Sequence, residues 1–310
     1  MNEVVWALGS VSDVWLNAQD PLREETVQAL TVSTGLRRPQ IELSLTNCFE
    51  ELSAPKITST IASFTARKRR RLNVLHVLPS NAFTAWVHGA VMTLLLGHKL
   101  SLKPSIHEPV FARAWKRSLE QVDPGLAEKI EIVAWDEKRL PDYSAVVAYG
   151  SDETLQEIKS KLNPETIFVG YGHKLSVGVV FQEALTKGLS EELLERVRRD
   201  AEPFRLQGCL SPQILYLEDA QIKRWPELEA SLDVAPKIKA VAQWQEILND
   251  LRKLSPYLSC VGFAGHPNRA QFLERDLKGL GVSRICPIGE MQRPPLSWRN
   301  GGLFLPDLLH

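Results

Sequence analysis

A single cysteine set in Gln207-Gly208-Cys209-Leu210-Ser211-Pro212-Gln213 is the place where this sequence could do covalent chemistry. It follows a long polar helical pattern and precedes the apolar run Ile214 to Leu217, so a backbone turn there would present a thiol at a domain junction. A thiolate can attack an acyl carbon and hold the acyl group as a thioester, which divides one difficult reduction into two easier steps. An isolated cysteine in an intracellular protein is more often a small buried hydrophobe. The chemical reading of Cys209 therefore depends on the segments around it.

Four upstream segments bear on that reading. Leu75-His76-Val77-Leu78-Pro79-Ser80-Asn81-Ala82-Phe83 leads from an apolar run into a long apolar helical pattern. An amide at Asn81 is the kind of donor that stabilises an oxyanion, while Ser-Asn after a strand is equally good turn chemistry. Leu100-Ser101-Leu102-Lys103-Pro104-Ser105 ends a predicted strand, where open α/β sheets collect ligands; an exposed lysine at a strand end is the plain alternative. In Val146-Val147-Ala148-Tyr149-Gly150-Ser151-Asp152-Glu153, Gly150 and Ser151 open a helical pattern. Backbone N–H groups there suit a pyrophosphate, although the same residues make an ordinary capping sequence. No GxGxxG is present, which disfavours a standard dinucleotide fingerprint. Phe168-Val169-Gly170-Tyr171-Gly172-His173-Lys174-Leu175-Ser176 is the fourth segment.

In this order, the four segments and Cys209 resemble the aldehyde dehydrogenase superfamily, and within it the acylating branch, the fatty acyl-CoA reductases of the LuxC family. The likeness runs from about Leu75 to Trp298 and includes Arg284-Ile285-Cys286-Pro287-Ile288-Gly289-Glu290-Met291. It implies that Cys209 is the nucleophile and Asn81 the amide facing the adduct oxygen. It further implies that Lys103 and Ser105 approach the adenosine ribose, with Lys103 helping to select NADP, that Gly150 and Ser151 meet the pyrophosphate, and that Glu290 bonds the nicotinamide ribose. The expected cofactor is NADPH or NADH, the expected substrate an acyl-CoA or acyl-carrier thioester, and the expected partners a second copy of the chain or acyl-transfer proteins.

Two departures from the pattern carry weight. Gly170 stands where hydrolytic members of the superfamily carry a glutamate that activates water, so this motif holds no base to release the acyl group as an acid. Hydride attack on a thioester needs no such base, and the substitution points to reduction. Trp298-Arg299-Asn300-Gly301 differs in both polar positions from the His-Asp-Gly run that follows this tryptophan in many family members.

Bulk properties bound the alternatives. A chain of 310 residues with 44% hydrophobic and 24% charged residues is long enough for two cores. Its 37 basic and 37 acidic side chains cancel, so no global field favours nucleic acid or an anionic membrane. Cys48, Cys209, Cys260 and Cys286 form no CxxC pair, which argues against zinc and against a disulfide framework and fits a reducing cytoplasm. Residues 1–16 lack the pattern of a secretory signal, and the most apolar window, Ala82 to Leu96, is too short to span a bilayer.

These residues need elements to hold them. Residues 1–72 read as a mostly helical leader, with Asp20-Pro21 as one helix start and Asn47 as the cap of another. From 73 to 207, strands at Asn73–Leu78, Lys99–Leu102, Ile130–Ala134, Ala145–Ala148 and Ile167–Gly170 alternate with helices, the pattern of a parallel sheet in a dinucleotide-binding domain. Residues 208–290 read as a smaller catalytic α/β unit with strands at Gln213–Leu217, Cys260–Ala264 and Arg284–Ile288 and helices at Trp225–Ser231, Val241–Leu254 and Pro267–Leu280. Residues 291–310 form an irregular tail. The expected fold is α/β and aldehyde dehydrogenase-like, two Rossmann-like domains with a helical leader. The expected activity is acyl-CoA reduction; a cofactor-free cysteine acyltransferase or thioesterase, or a non-catalytic scaffolding member, are the alternatives.

Overall fold

The computed structural model describes residues 2–62, 70–185, 190–218 and 232–309. The chain divides into two compact units, residues 1–172 with 295–297 and 303–310, and residues 173–294 with 298–302. The helix expected at Trp225–Ser231, and part of the basic run that begins at Arg67, lie outside the described residues.

The first unit opens with helices α1 (Asn2–Leu16), α2 (Pro21–Thr34), α3 (Arg38–Phe49) and α4 (Ala54–Ala62). Asp20 caps α2 as its sequence suggests: Oδ1 accepts the N–H groups of Leu22 and Arg23, and Pro21 occupies the first turn, where no N–H is required. Asn47 does not act as a cap; it is buried inside α3, which continues to Phe49 because Leu45, Cys48 and Phe49 complete its apolar face.

The sheet of this unit contains β1 (Asn73–Val77), β2 (Lys99–Lys103), β3 (Ile130–Ile132), β4 (Ala145–Tyr149) and β5 (Ile167–Tyr171). All pairings are parallel, in the order β3-β2-β1-β4-β5. The crossovers include α5 (Val87–Leu95), α6 (Val110–Val122), the short α7 (Pro124–Ala127) and α8 (Asp152–Ser160). Ala145, Val146, Val147 and Ala148 are fully buried, as a central strand covered on both faces must be.

The leader joins this unit through aromatic packing. The Trp15 ring stacks on Phe49 at 5.7 Å and meets Phe111 edge-on at 5.0 Å, and its Nε1 donates to Ser118 Oγ of α6 at 3.1 Å. Trp86 and Trp115 cross at 5.4 Å. Each such ring removes roughly 150–250 Å² of surface from water, so this cluster makes the leader part of the unit's core. At the other end of the chain, α12 (Leu305–Leu308) packs on α5, and His98 Nε2 lies 3.4 Å from the Leu309 carbonyl.

The second unit holds a second parallel sheet: β6 (Leu175–Val180), β7 (Pro212–Glu218), β8 (Lys237–Val241), β9 (Leu258–Ala264) and β10 (Arg284–Pro287), ordered β10-β9-β6-β7-β8. Helices α10 (Trp244–Leu254) and α11 (Arg269–Asp276) cover one face, where Trp244, Ile247, Leu251 and Leu273 pack on Val177, Val179 and Val261. Helix α9 (Glu191–Ala201) covers the other, placing Leu193 and Val197 on Val180, Leu215 and Leu217. The strands β6 and β8 have no counterpart in the sequence expectation. The helix expected from Val241 begins at Trp244, because Val241 ends β8, and the one expected from Pro267 runs only from Arg269 to Asp276.

Candidate active site

In the first sheet the winding direction reverses between β1 and β4, and open α/β sheets bind ligands outside the carboxyl ends of their strands at such a reversal. Asn81 is exposed in the loop after β1, Lys103 is the last residue of β2 with Ser105 two positions on, and Gly150 and Ser151 follow β4. The structure thus brings Asn81, Lys103, Ser105, Gly150 and Ser151 to one edge of one sheet. Ser151 caps α8, its Oγ accepting the Thr154 N–H at 3.3 Å, which leaves a helix start directly after the strand. Lys103 is half-buried, and desolvation lowers its pKa. Ser105 Oγ accepts the His107 N–H at 3.2 Å. The reversal, the helix start and the strand-end lysine together fit a dinucleotide.

Gly170, on β5, is closely packed by side chains. A Cβ there would lie 3.0 Å from the Phe168 ring and 3.2 Å from Leu155. His173 is exposed, its ring 6.2 Å from that of Tyr257, and Lys174 Nζ donates to the Pro256 carbonyl at 3.0 Å. His76 is a core histidine, buried on β1 with Nε2 3.0 Å from Thr93 Oγ1.

Cys209 belongs to the second unit, at the amino end of β7. Between α9 and this cysteine the chain turns through three successive left-handed residues, Phe204 (φ 57°), Arg205 (φ 50°) and Leu206 (φ 62°). Each costs roughly 1–2 kcal/mol for a residue with a Cβ. Burial of Phe204 and a 2.5 Å hydrogen bond from Gln213 Nε2 to the Leu206 carbonyl hold the turn. Cys209 keeps partial exposure, while Cys48, Cys260 and Cys286 are buried. It packs against Leu210, Cys260, Cys286 and Met291. Burial in this apolar setting pushes the Cys209 thiol up to about 11, against a smaller downward pull from its own backbone N–H.

Cys260 Sγ and Cys286 Sγ approach to 3.7 Å beneath it. Cys260 stands opposite Arg284 in the β9–β10 register and Cys286 opposite Gly262, so the two cysteines are diagonal neighbours on parallel strands. Both act as core residues, as their apolar strand contexts suggest.

A polar framework missed by the sequence reading surrounds the cysteine loop. Ser176 Oγ donates to the Cys209 carbonyl at 2.6 Å and accepts the Cys260 N–H at 3.1 Å. Asp200, fully buried on α9, accepts the N–H of Gly289 at 2.5 Å and of Met291 at 2.9 Å. Gly289 (φ 97°) makes the turn that aims these two N–H groups at one carboxylate. Gln292 Nε2 donates both to the Asp200 carbonyl at 2.9 Å and to Ser211 Oγ at 2.8 Å. Burial pushes the Asp200 carboxyl up to about 7, against the pull of the N–H groups of Gly289, Met291 and Gln292 and the charge of Arg284. Glu290 is exposed on the same turn, its carbonyl accepting from Arg284 Nη2 at 2.8 Å. The signal for Asp200 was present: it shares a helical stripe with Leu193 and Val197, and a charge on an apolar stripe needs buried partners.

A family model described as acyl-CoA reductase (LuxC) matches residues 12–235 and 226–308. Among solved structures, an oxidoreductase from Marinobacter aquaeolei is similar with a TM-score of 0.70 at 12% identity, covering 93% of this chain and 78% of that one. An NADP-dependent enzyme of E. coli is similar with a TM-score of 0.69 at 12% identity, covering 93% and 77%. An aldehyde dehydrogenase from Brucella melitensis biovar abortus 2308 follows with a TM-score of 0.70 at 11% identity, covering 92% and 76%. At these identities the likeness is one of fold, and the fold is aldehyde dehydrogenase-like. No curated protein sequence matches the chain.

Proposed function

The chain belongs to the acyl-CoA reductase (LuxC) family, and from that premise we propose that it reduces an acyl thioester to an aldehyde through a cysteine-linked acyl-enzyme on Cys209. The observation that carries the reading is Cys209 itself: a residue on a braced loop that keeps partial exposure, whereas Cys48, Cys260 and Cys286 are buried.

The reaction has two halves. Cys209 Sγ bonds to the thioester carbon, the bond from that carbon to the donor sulfur breaks, and the cysteine proton passes to the departing thiolate. One thioester replaces another, so the exchange is close to isoenergetic. A nicotinamide dinucleotide, when bound, supplies the hydride that reduces the acyl carbon. The thiohemiacetal on Cys209 then collapses to an aldehyde and the free thiol, with one proton taken up overall. NADPH is the preferred reductant in this reading, on the strength of Lys103 at the end of β2.

The roles of the chain's own groups follow. Asn81 is the amide donor for the adduct oxygen, a term worth roughly 10²–10³-fold in rate where it has been removed elsewhere. Gly150 and Ser151 offer N–H groups and a hydroxyl to the pyrophosphate, Lys103 and Ser105 hold the adenosine ribose, and Glu290 holds the nicotinamide ribose. Gly170 puts no base at that position of the motif, which disfavours hydrolysis of the acyl-enzyme relative to its reduction.

One observation favours a second reading, a non-catalytic member of the family: burial holds the thiol well above the range of activated cysteines. Incubation with acyl-CoAs of several chain lengths separates the two. The reductase reading expects a covalent acyl adduct on Cys209 by mass spectrometry and consumption of NADPH or NADH by absorbance. Acyl transfer undiminished in Cys209→Ala, or no adduct with any acyl-CoA, would remove it.

A further inference from the structure

Two loops of the second unit carry the groups that the proposed reaction asks to act together: the turn bearing Glu290 and the loop bearing Cys209. They are joined by one buried polar chain. Asp200 takes the N–H groups on both sides of Glu290, those of Gly289 and Met291. The backbone carbonyl of the same residue takes Nε2 of Gln292, and that nitrogen also donates to Ser211 Oγ, two residues beyond Cys209. Ser211 closes the path with its N–H on the Gly208 carbonyl at 3.0 Å.

We infer that Asp200 is a positioning residue for cofactor binding, fixing the Glu290 turn and tying it through Gln292 to the Cys209 loop. The inference rests on the reading of Glu290 as a ribose contact. Three observations support it beyond ordinary core structure. The Asp200 side chain is fully buried, so its carboxylate must be satisfied from within the protein. Both of its oxygens are given to the turn that presents Glu290, while Glu290 itself remains exposed and available to a ligand. Gly289 adopts a φ of 97°, a backbone state that a side chain would oppose and that the two hydrogen bonds hold. An amide at position 200 retains the shape of aspartate and offers only one acceptor oxygen, so Asp200→Asn releases one of the two N–H groups.

The test is a double-mutant cycle on dinucleotide affinity, read by tryptophan fluorescence on titration with NADPH and with NADH. Asp200→Asn alone and Glu290→Gln alone are each expected to weaken binding about tenfold, and the double variant no further than Glu290→Gln. A merely structural role would make the two losses add, and that result overturns the inference. Full affinity in Asp200→Asn beside a weakened Glu290→Gln overturns it too, leaving the ribose reading intact. Full affinity in Glu290→Gln overturns both the ribose reading and the inference built on it. Should Asp200→Asn not fold, Gln292→Met takes its place in the cycle, since it keeps the volume and cannot donate to Asp200 or Ser211. It is expected to weaken binding several-fold, again only while Glu290 is present.

Discussion

Ser176 Oγ donates a 2.6 Å hydrogen bond to the carbonyl of Cys209, and the same oxygen accepts the N–H of Cys260. The reason lies in the sheet. The register of β6 slips between Ser176 and Val177 against β7, and between Leu175 and Val177 against β9, so the ladder has a gap at the amino end of the central strand. A hydroxyl at that gap closes it on both sides. Ser176→Ala strands a carbonyl and an N–H, and the expected cost is about 1–3 kcal/mol. Thermal denaturation reads the loss, and Cys209 should be alkylated faster in the variant because its loop has lost its brace. An unchanged melting temperature would show that the loop is held by other means.

Burial pushes the Cys209 thiol up to about 11, which makes its thiolate scarce at neutral pH. Alkylation by iodoacetamide should accelerate about tenfold for each pH unit from 7 to 10 and level off only beyond that range. The buried Cys48, Cys260 and Cys286 should resist the reagent while the protein is folded. Peptide mapping after a short pulse checks both points; a rate that plateaus below pH 9 would reveal an activating partner for the sulfur.

Much of this arrangement was legible in the sequence, and the parts that were not share a physical cause. The strands β1, β2, β4, β5, β7 and β9 are apolar runs bounded by turn residues, and each was found within a residue or two. The strand β8 escaped because Lys237 and Lys239 alternate with Ile238 and Ala240 at the edge of the sheet, where lysines guard an open strand and blur its pattern. The strand β6 escaped because Leu175-Ser176-Val177-Gly178 follows His173-Lys174 without a turn long enough to mark it. Phe204, Arg205 and Leu206 carry no signal at all for left-handed backbone, since that state is held by tertiary contacts, the burial of Phe204 and the Gln213–Leu206 hydrogen bond. Edge placement of Asn81, Lys103, Ser105, Gly150 and Ser151 was readable because a residue just after a parallel strand is placed by topology alone.

Asp200 gives the stability of the protein a pH dependence of unusual sign for a carboxylate. In the unfolded chain it titrates near 3.9, as aspartates do, whereas burial raises it to about 7 in the folded state. Between these values the folded state binds the extra proton, so stability falls as pH rises from about 4 to 7 and is level above. The full span is on the order of 4 kcal/mol for this one group. Asp200→Asn cannot titrate, and its stability should lack that fall. Urea denaturation of both proteins at pH 4.5, 5.5, 6.5 and 7.5 measures the difference. Parallel profiles would show that the carboxylate is ionised throughout, held by the N–H groups of Gly289 and Met291.

The left-handed turn before the cysteine offers the cleanest test of stored strain. Arg205 is exposed, so its side chain contributes little packing, yet its φ of 50° places its Cβ against the following carbonyl. Glycine removes that clash and enlarges the freedom of the unfolded chain, two effects of opposite sign. The clash is the larger for a left-handed residue, so Arg205→Gly should stabilise the fold by up to about 1 kcal/mol. Phe204→Gly relieves the same kind of clash and also removes a buried ring, so it should destabilise by about 3 kcal/mol or more. Denaturant midpoints of the two variants, moving in opposite directions, would establish that the turn is strained backbone pinned by one aromatic side chain. A loss of stability in Arg205→Gly would mean that the guanidinium makes a contact worth more than the strain.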